Sequence, residues 1–315
     1  MTFRDRVWWS CACALLGLLA PLACSDPEPH AFFRQGAAER RPFVFAHRGG
    51  GGLLPENTLP TFVESLRRDP LTVIEFDVHR SRDGVLVIIH DDDVARTTNG
   101  QGRVAELTLA ELQQLDAGFC ARPGVGDGTA PRGECDPAGS AATYPHRGMG
   151  VRIPTLDQVL AALPMDAFLS VEVKQAGIER QFADTMRASG RLGRLATGAE
   201  NDDIAVRVRD LLPEAAHFLP KGAATCLALA AKLRLKYPDC PRYDLFASPL
   251  TGAGLALDTS AVVDTAHGYG AQVIYWTINE SAEIERLFRM GADGVYTDYP
   301  DRARDIAERL RVEGL

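Results

Sequence analysis

The feature that most constrains the fold is a regular alternation of strand-like and helix-like segments along most of the chain. Short apolar runs recur between longer amphipathic stretches over about 250 residues, the pattern of parallel βαβ units. The strand-like segments span residues 43–46, 72–80, 85–91, 168–174, 215–219, 244–248, 272–276 and 294–297. The helix-like segments span residues 56–68, 107–115, 155–163, 178–190, 201–212, 222–236, 259–269, 281–290 and 300–311. We predict an α/β fold, a TIM (β/α)8 barrel, with an open doubly wound sheet as the alternative.

Chemically versatile residues stand where several of these strands end. His47 and Arg48 follow the first strand and lead into four consecutive glycines, Gly49–Gly52. We interpret this run as a loop that leaves space for an anionic ligand, because arginine matches a phosphate and glycine permits close approach. His90 and Trp276 end two later strands. In a barrel, the carboxyl ends of all strands meet at one face, so we expect these side chains to lie together.

The second strand carries two acids on one face, Glu75 and Asp77, and a later strand carries Glu172 followed by Lys174. Side chains alternate across a strand, so Glu75 and Asp77 project in the same direction. A solvated face is the structural alternative, but this strand is apolar on its other face, and buried unpaired acids are costly. Three carboxylates suit one hard divalent cation. Two histidines could then transfer protons while Arg48 and the lysine neutralise a phosphoryl group.

The N-terminus has the features of an export signal. Two arginines precede an apolar stretch, and we predict a signal peptide over residues 1–23. The sequence Pro-Leu-Ala-Cys24 resembles a bacterial lipoprotein box, so lipidated Cys24 is a candidate membrane tether. Residues 24–41 are then interpreted as a tether, and residues 42–315 as the barrel. We expect an exported protein, periplasmic or a cell-envelope lipoprotein.

Four cysteines remain after the predicted signal: Cys120, Cys135, Cys226 and Cys240. They allow three pairings, of which the local pairs 120–135 and 226–240 are the simplest in an oxidising compartment. Buried free thiols and a zinc site are the alternatives. The first pair falls in a loop-rich insertion at about residues 92–150, which we expect to lack a core of its own and to be held by its disulfide.

The overall charge excludes one class of partner. The formal net charge is −8, whereas nucleic-acid binding requires a basic surface, so we expect no nucleic-acid partner. The sequence makes no prediction of oligomeric state.

Ten short motifs extend along the chain in a fixed order. They are His47-Arg-Gly, Pro55-Glu-Asn-Thr58, Glu75-Phe-Asp77, His90-Asp91, Arg96-Thr-Thr-Asn-Gly100, Leu115-Asp-Ala-Gly118, Ile153-Pro-Thr-Leu156, Val171-Glu-Val-Lys174, Trp276-Thr-Ile-Asn279 and Gly291-Ala-Asp-Gly-Val-Tyr-Thr-Asp298. With them the chain resembles the glycerophosphodiester phosphodiesterase family, over roughly residues 43 to 311.

The resemblance implies a metal-dependent hydrolase on a TIM barrel that releases sn-glycerol 3-phosphate and an alcohol from glycerophosphodiesters. It assigns one Ca²⁺ or Mg²⁺ to Glu75, Asp77 and Glu172, acid/base catalysis to His47 and His90, and substrate contacts to Arg48, Glu56, Lys174 and Trp276. In the implied mechanism the glycerol 2-hydroxyl attacks phosphorus, and water then opens the cyclic phosphate. We expect His47 to act as the base and His90 as the acid.

Two other functions remain open from the sequence. A lysophospholipid or phospholipid-headgroup phosphodiesterase, similar to phospholipase D-like barrels, would use the same site on a lipid substrate. A non-catalytic surface binding lipoprotein would keep the barrel alone, although the intact set of acids and histidines weighs against it.

Overall fold

The alternating segments form a closed parallel barrel. The structure is a computed structural model and describes residues 29–35, 41–122, 135–235, 243–252 and 254–314. Its strands are β1 (Phe43–Ala46), β2 (Val73–Arg80), β3 (Leu86–Ile88), β4 (Phe168–Val173), β5 (Leu195–Gly198), β6 (Ala216–His217), β7 (Leu245–Ser248), β8 (Thr251–Gly252), β9 (Leu255–Ala256), β10 (Gln272–Tyr275) and β11 (Gly294–Thr297). Its helices are α1 (Ala31–Arg34), α2 (Leu59–Arg68), α3 (Leu109–Gln114), α4 (Leu156–Ala162), α5 (Glu179–Ala188), α6 (Asp202–Leu211), α7 (Lys221–Leu233), α8 (Ser260–Tyr269), α9 (Ser281–Met290) and α10 (Pro300–Val312).

The order of the strands distinguishes the barrel from the open sheet. Parallel pairing runs β6-β5-β4-β2-β1-β11-β10-β7, so the first strand lies beside the last. A parallel bridge from Phe218, just after β6, to Leu245 in β7 completes the circle. An open doubly wound sheet would instead reverse its order at a switch point. The predicted TIM barrel is therefore confirmed.

Two strands differ from the prediction. Only residues 86–88 of the predicted strand 85–91 are extended, and they pair antiparallel with β2 across a turn at Gly84, outside the barrel. The missing barrel strand is β5, which the sequence did not indicate. Its four residues contain one large apolar side chain, Leu195, which is too little to form a recognisable pattern.

The alternation along β2 is confirmed by its packing. Ile74, Phe76 and Val78 are buried in an apolar core that they share with the surrounding helices α4, α5 and α6. Glu75 and Asp77 lie on the opposite face of the strand and are also buried. The acids consequently face the inside of the barrel rather than solvent.

The N-terminal end of the barrel is filled by residues that precede β1. Phe32 and Phe33 of α1 are fully buried, and their rings contact Phe168 at 5.3 Å and Phe43 at 5.4 Å between centroids. Part of the segment 24–41, predicted as a tether, is thus a component of the fold. The sequence missed it because two aromatic residues among prolines and polar residues carry no periodic signal.

The insertion has an apolar core, contrary to expectation. Val94, Val104 and Leu112 are buried in one cluster with Val87 and Ile89, which lie in and directly after β3. The antiparallel strand thus joins the insertion to the barrel.

The distal part of the insertion is held at its base and by a cross-link. The carboxylate of Asp116 accepts hydrogen bonds from the backbone of Gly118 at 2.9 Å and of Gly148 at 2.6 Å. The predicted disulfide between Cys120 and Cys135 is present, with a Cα–Cα distance of 5.2 Å. Both ends of this loop are therefore hydrogen-bonded to the same side chain, that of Asp116.

Several predictions about the N-terminus and the cysteines concern residues that the structure does not describe. The signal peptide, residues 1–23, and the lipidation site Cys24 lie outside the described residues, as does Cys240. Its predicted partner Cys226 is disulfide-bonded. Within the described ranges, no helix combines the length and the apolar character needed to span a membrane.

Candidate active site

The turn after β1 brings His47 to the carboxyl end of the barrel. The glycines that follow are required by the protein's own packing. A Cβ at Gly49, whose φ is +83°, would lie 2.3 Å from the ring of Phe62. A Cβ at Gly52 would lie 2.6 Å from the ring of Tyr299. These two glycines let the turn pack against the barrel's own aromatic side chains, and the interpretation of the run as space for a ligand stays a prediction.

Three carboxylates line the inside of the barrel near this turn. Asp77 on β2 lies in register beside Glu172 on β4. The backbone N–H of Arg48 donates to Glu75 at 2.5 Å, and the side chain of Asn57 donates to Asp77 at 2.9 Å. Both predicted strands thus deliver their acids to the same region as the His-Arg turn.

These acids influence one another strongly. Burial and the neighbouring charge of Asp77 raise the pKa of Glu75 and of Glu172. Burial also tends to raise the pKa of Asp77, but nearby positive charges, led by Arg48, outweigh burial and lower it. The negative charge is therefore concentrated on Asp77, and the other two carboxylates would be stabilised in their charged form by an additional cation.

The same three acids are the residues that could hold a metal. Carboxylate oxygens are the donors that Ca²⁺ and Mg²⁺ prefer, so the donor set fits a hard cation. The ammonium of Lys174 lies among them, 3.1 Å from Glu172 and 3.8 Å from Asp77. Across the part of the chain that the structure describes, no three acidic, histidine or cysteine side chains form a ready-made metal cluster. Asp77 and Glu172 are here paired with the lysine.

His47 is oriented by an aspartate from the last strand of the barrel. Its Nδ1 lies 2.8 Å from the carboxylate of Asp298, which directly follows β11. The side chain of Asn279 donates to the other carboxylate oxygen at 2.9 Å and accepts from the backbone of Asp298 at 2.8 Å. With Nδ1 held in this way, Nε2 is the ring nitrogen left for proton transfer.

His90 is oriented in the same manner by its neighbour in sequence. Its Nδ1 lies 2.6 Å from Asp91, and Asp91 also accepts a hydrogen bond from the guanidinium of Arg96. Burial tends to raise the pKa of Asp91, but the hydrogen bonds from His90 and Arg96 outweigh burial and lower it. Nε2 of His90 lies 3.3 Å from the ammonium of Lys174. His90 and the acids therefore share one cation.

Glu56 bridges two arginines. Its carboxylate accepts from Arg48 at 2.8 Å and from Arg96 at 2.7 and 3.0 Å. A carboxylate repels a phosphate, so this position accounts for Glu56 without a direct contact to the substrate. In the structure it holds the two guanidinium groups, and its predicted role in substrate binding stays a prediction.

Trp276 lies at the rim of the same face. It follows β10, its backbone donates to Ser248 at 3.0 Å, and its side chain is 45% exposed. The next residue, Thr277, places its hydroxyl 3.5 Å from Nδ1 of His47. An exposed aromatic ring beside the histidine could contact the organic part of a ligand.

Sequence reasoning missed four residues that orient the site: Asp91, Arg96, Asn279 and Asp298. All four lie within motifs that carried the resemblance, but none received a role. A usable signal existed for two of them. Asp298 follows a predicted barrel strand, and Asp91 is adjacent to a predicted catalytic histidine.

Comparison with known proteins identifies the family. The sequence model of the glycerophosphoryl diester phosphodiesterase family matches residues 47–302. A glycerophosphodiester phosphodiesterase of Bacillus subtilis is 28% identical over 271 residues, covering 83% of this chain and 85% of that protein.

Two solved structures share the fold. The glycerophosphoryl diester phosphodiesterase domain of a Mycobacterium tuberculosis protein has a TM-score of 0.66 and 22% identity, covering 83% of this chain and 97% of that one. A phosphodiesterase of Oleispira antarctica, solved with the product sn-glycerol-3-phosphate, has a TM-score of 0.62 and 24% identity. The match covers 84% of this chain and 96% of that one. The chain therefore belongs to the glycerophosphoryl diester phosphodiesterase family, whose members are phosphoric diester hydrolases.

Proposed function

We propose that this enzyme hydrolyses glycerophosphodiesters to sn-glycerol 3-phosphate and an alcohol, using two histidines and one divalent cation, Ca²⁺ or Mg²⁺. The observation that carries the proposal is the pair of histidines, each with Nδ1 held by an aspartate, beside buried acids and two cationic side chains. Family membership and the relatives named above support the substrate class.

The substrate's phosphate would be bound by the basic side chains. The guanidinium of Arg48 pairs with Glu56, and its buried Nε lies 3.9 Å from Asp77, so it supplies a fixed positive charge beside the phosphate site. Burial tends to lower the pKa of Arg48, but Glu56 and Asp77 outweigh burial and raise it, which keeps the group charged. Lys174 supplies a second positive charge close to His90.

The chemistry would proceed in two displacements at phosphorus. One histidine takes the proton of the glycerol 2-hydroxyl, whose oxygen forms a new bond to phosphorus, while the other histidine protonates the departing alcohol. Water then attacks phosphorus, losing its proton to the second histidine, while the bond from phosphorus to the 2-oxygen breaks and the first histidine returns a proton to that oxygen, which gives sn-glycerol 3-phosphate. The intramolecular nucleophile gains from proximity. A cation bound by Glu75, Asp77 and Glu172 would stabilise charge on the phosphoryl oxygens.

The contacts of the two rings favour an order opposite to the one expected from the sequence. An ammonium can only donate, so Nε2 of His90, 3.3 Å from Lys174, accepts from it in the tautomer in which this nitrogen carries no proton, as a base must. Each ring faces an aspartate that would stabilise its positively charged form, so the assignment follows from the lysine contact of His90. We therefore assign the first proton abstraction to His90 and protonation of the leaving alcohol to His47.

The leaving group tests this order. We expect His47→Ala and His90→Ala each to lose about 10²–10⁴-fold in turnover on glycerophosphocholine. With a 4-nitrophenyl ester of glycerol phosphate, 4-nitrophenolate departs without protonation, so its release by His47→Ala should largely recover and its release by His90→Ala should not. Recovery by His90→Ala alone would reverse the assignment, and near-wild-type turnover by either variant on glycerophosphocholine would refute the two-histidine mechanism.

The cation and the substrate class need separate tests. EDTA should abolish hydrolysis, Ca²⁺ or Mg²⁺ should restore it, and Ca²⁺ should raise the melting temperature of the wild type but not of Glu172→Gln. Undiminished activity in EDTA would refute the metal requirement. Mass spectrometry of products from glycerophosphocholine and lysophosphatidylcholine in parallel would separate the two substrate classes, since faster turnover of the lysolipid would favour the lipid alternative.

A further inference from the structure

A continuous chain of opposite charges connects the predicted phosphate-binding arginine to one histidine. Arg48 donates to Glu56 at 2.8 Å, and Arg96 donates to the same carboxylate through two nitrogens, at 2.7 and 3.0 Å. A third nitrogen of Arg96 donates to Asp91, whose other oxygen lies 2.6 Å from Nδ1 of His90. Arg96 is thus the central link of the series.

The geometry of Arg96 suits a fixed link better than a surface ion pair. It engages two carboxylates with three of its nitrogens, the planar arrangement in which a guanidinium holds its partners in a defined orientation. Burial tends to lower the pKa of Arg96, but Glu56 and Asp91 outweigh burial and raise it. Both partners consequently retain a charged guanidinium between them.

The insertion holds Arg96 in place. Two residues before it, Val94 is fully buried in the insertion's core, and its backbone donates to Gly102 at 3.1 Å. Two residues after it, Thr98 is buried and its hydroxyl donates to the carbonyl of Val94 at 2.8 Å. The turn that carries Arg96 is therefore fixed at both sides.

We infer that Arg96 is a positioning residue, supplied by the insertion, that fixes Asp91 and hence the ring of His90. Because Arg96 shares Glu56 with Arg48, it also sets the histidine and the phosphate-binding guanidinium relative to each other. The insertion thus contributes a residue to the active site. This inference rests on the proposed function, in which His90 transfers a proton.

The kinetic test replaces Arg96 and compares turnover with binding. Arg96→Gln should lower kcat on glycerophosphocholine about 10²-fold, the cost of a misplaced catalytic group, while KM changes little. Arg96→Lys keeps the positive charge but lacks the planar guanidinium, and should recover part of the loss in kcat. Arg103→Gln is the matched control, because Arg103 pairs with Asp92 at 2.9 Å on the exposed surface of the same insertion. It should keep the kcat of the wild type.

A double-mutant cycle tests whether Arg96 acts through Asp91. Asp91→Asn combined with Arg96→Gln should cost little more than either change alone, because both remove the same support from His90. Additive losses would overturn the link. A rise in KM without a fall in kcat would show that Arg96 binds substrate directly and would also overturn it.

A spectroscopic test separates this inference from the proposed function. In the wild type, the Nδ1 protons of His47 and His90 should both give downfield NMR signals, each protected by its aspartate. Arg96→Gln should broaden the His90 signal by exchange with solvent. The His47 signal should stay unchanged and serves as the internal control. An inactive wild type would refute the proposed function alone, whereas an unchanged His90 signal would refute the role of Arg96, whatever the activity.

Discussion

Phe32 and Phe33 of α1 form an aromatic plug at the N-terminal end of the barrel, and this plug gives a quantitative prediction for Phe32→Ala. Phe32 is fully buried, and its ring lies 4.9 Å from that of Phe33 and 5.3 Å from that of Phe168. Burying a phenylalanine side chain is worth about 1.5–3 kcal/mol, and each aromatic pair adds about 0.5–1.5 kcal/mol. These contributions bracket the loss of about 3–5 kcal/mol that is typical of a buried phenylalanine replaced by alanine, which we therefore expect in the free energy of unfolding.

Urea denaturation and thermal melting would measure this loss. A drop of this size corresponds to a decrease in melting temperature on the order of 10 °C for a domain this large. Met165→Ala is the matched control, since Met165 is 62% exposed, lies just before β4 at the same end of the barrel, and should change stability by less than about 0.5 kcal/mol.

Activity provides a second readout for the same variant. The plug lies at the opposite end of the barrel from His47, so kcat measured well below the melting transition should stay close to that of the wild type. A stability loss no larger than that of Met165→Ala would refute the reasoning, because it would mean that α1 is not part of the folded barrel.

Three other predictions concern pH, catalysis and cross-linking. Burial lowers the pKa of His217 from 6.5 to about 4, so the folded state keeps it neutral; stability is full above pH 6.5 and should decline by about 3 kcal/mol as pH falls to 4. Urea titrations across this range should show a shallower decline for His217→Gln, and an unchanged slope would contradict the assignment. Asp298→Asn should lower kcat on the order of 10²-fold with little change in KM, because the ring of His47 loses its charged partner; steady-state kinetics showing only a change in KM would exclude this role. Cys135→Ala removes a cross-link spanning 15 residues and should cost about 3 kcal/mol of stability in urea, whereas a midpoint equal to that of the wild type would show that the loop needs no disulfide.

The sequence predicted the fold wherever local pattern and tertiary packing agree. β2 has strict alternation, and its two faces are an apolar core and a row of buried polar groups, as predicted. β5 is extended because its neighbours β4 and β6 hold it, although its own four residues specify little. α1 is ordered by rings contributed from strands that come later in the chain. Such elements depend on contacts that no local pattern contains.

The site was predictable to the extent that strand ends converge. His47, Glu75, Asp77 and Glu172 lie on or directly after parallel barrel strands, as the barrel rule predicts. His90 instead reaches the site from β3, which pairs antiparallel with β2 outside the barrel. The residues that orient the two histidines were not predictable in this way, because their contacts depend on the conformations of individual side chains. The pair of His47 and Asp298 joins residues 251 positions apart, which only closure of the barrel brings together.

The hydrogen bonds of Asp116 make the loop between Gly118 and Gly148 suitable for exchange with loops from related proteins. Since its carboxylate fixes the backbone at both Gly118 and Gly148, the loop begins and ends at one point, and its length is independent of the barrel. Chimeras joined at these glycines would keep Val94, Leu112 and the turn of Arg96 intact, whereas exchange of the whole insertion would expose Val87 and Ile89. Loops from relatives grafted between residues 118 and 148 would therefore leave the insertion's core and the turn of Arg96 unchanged.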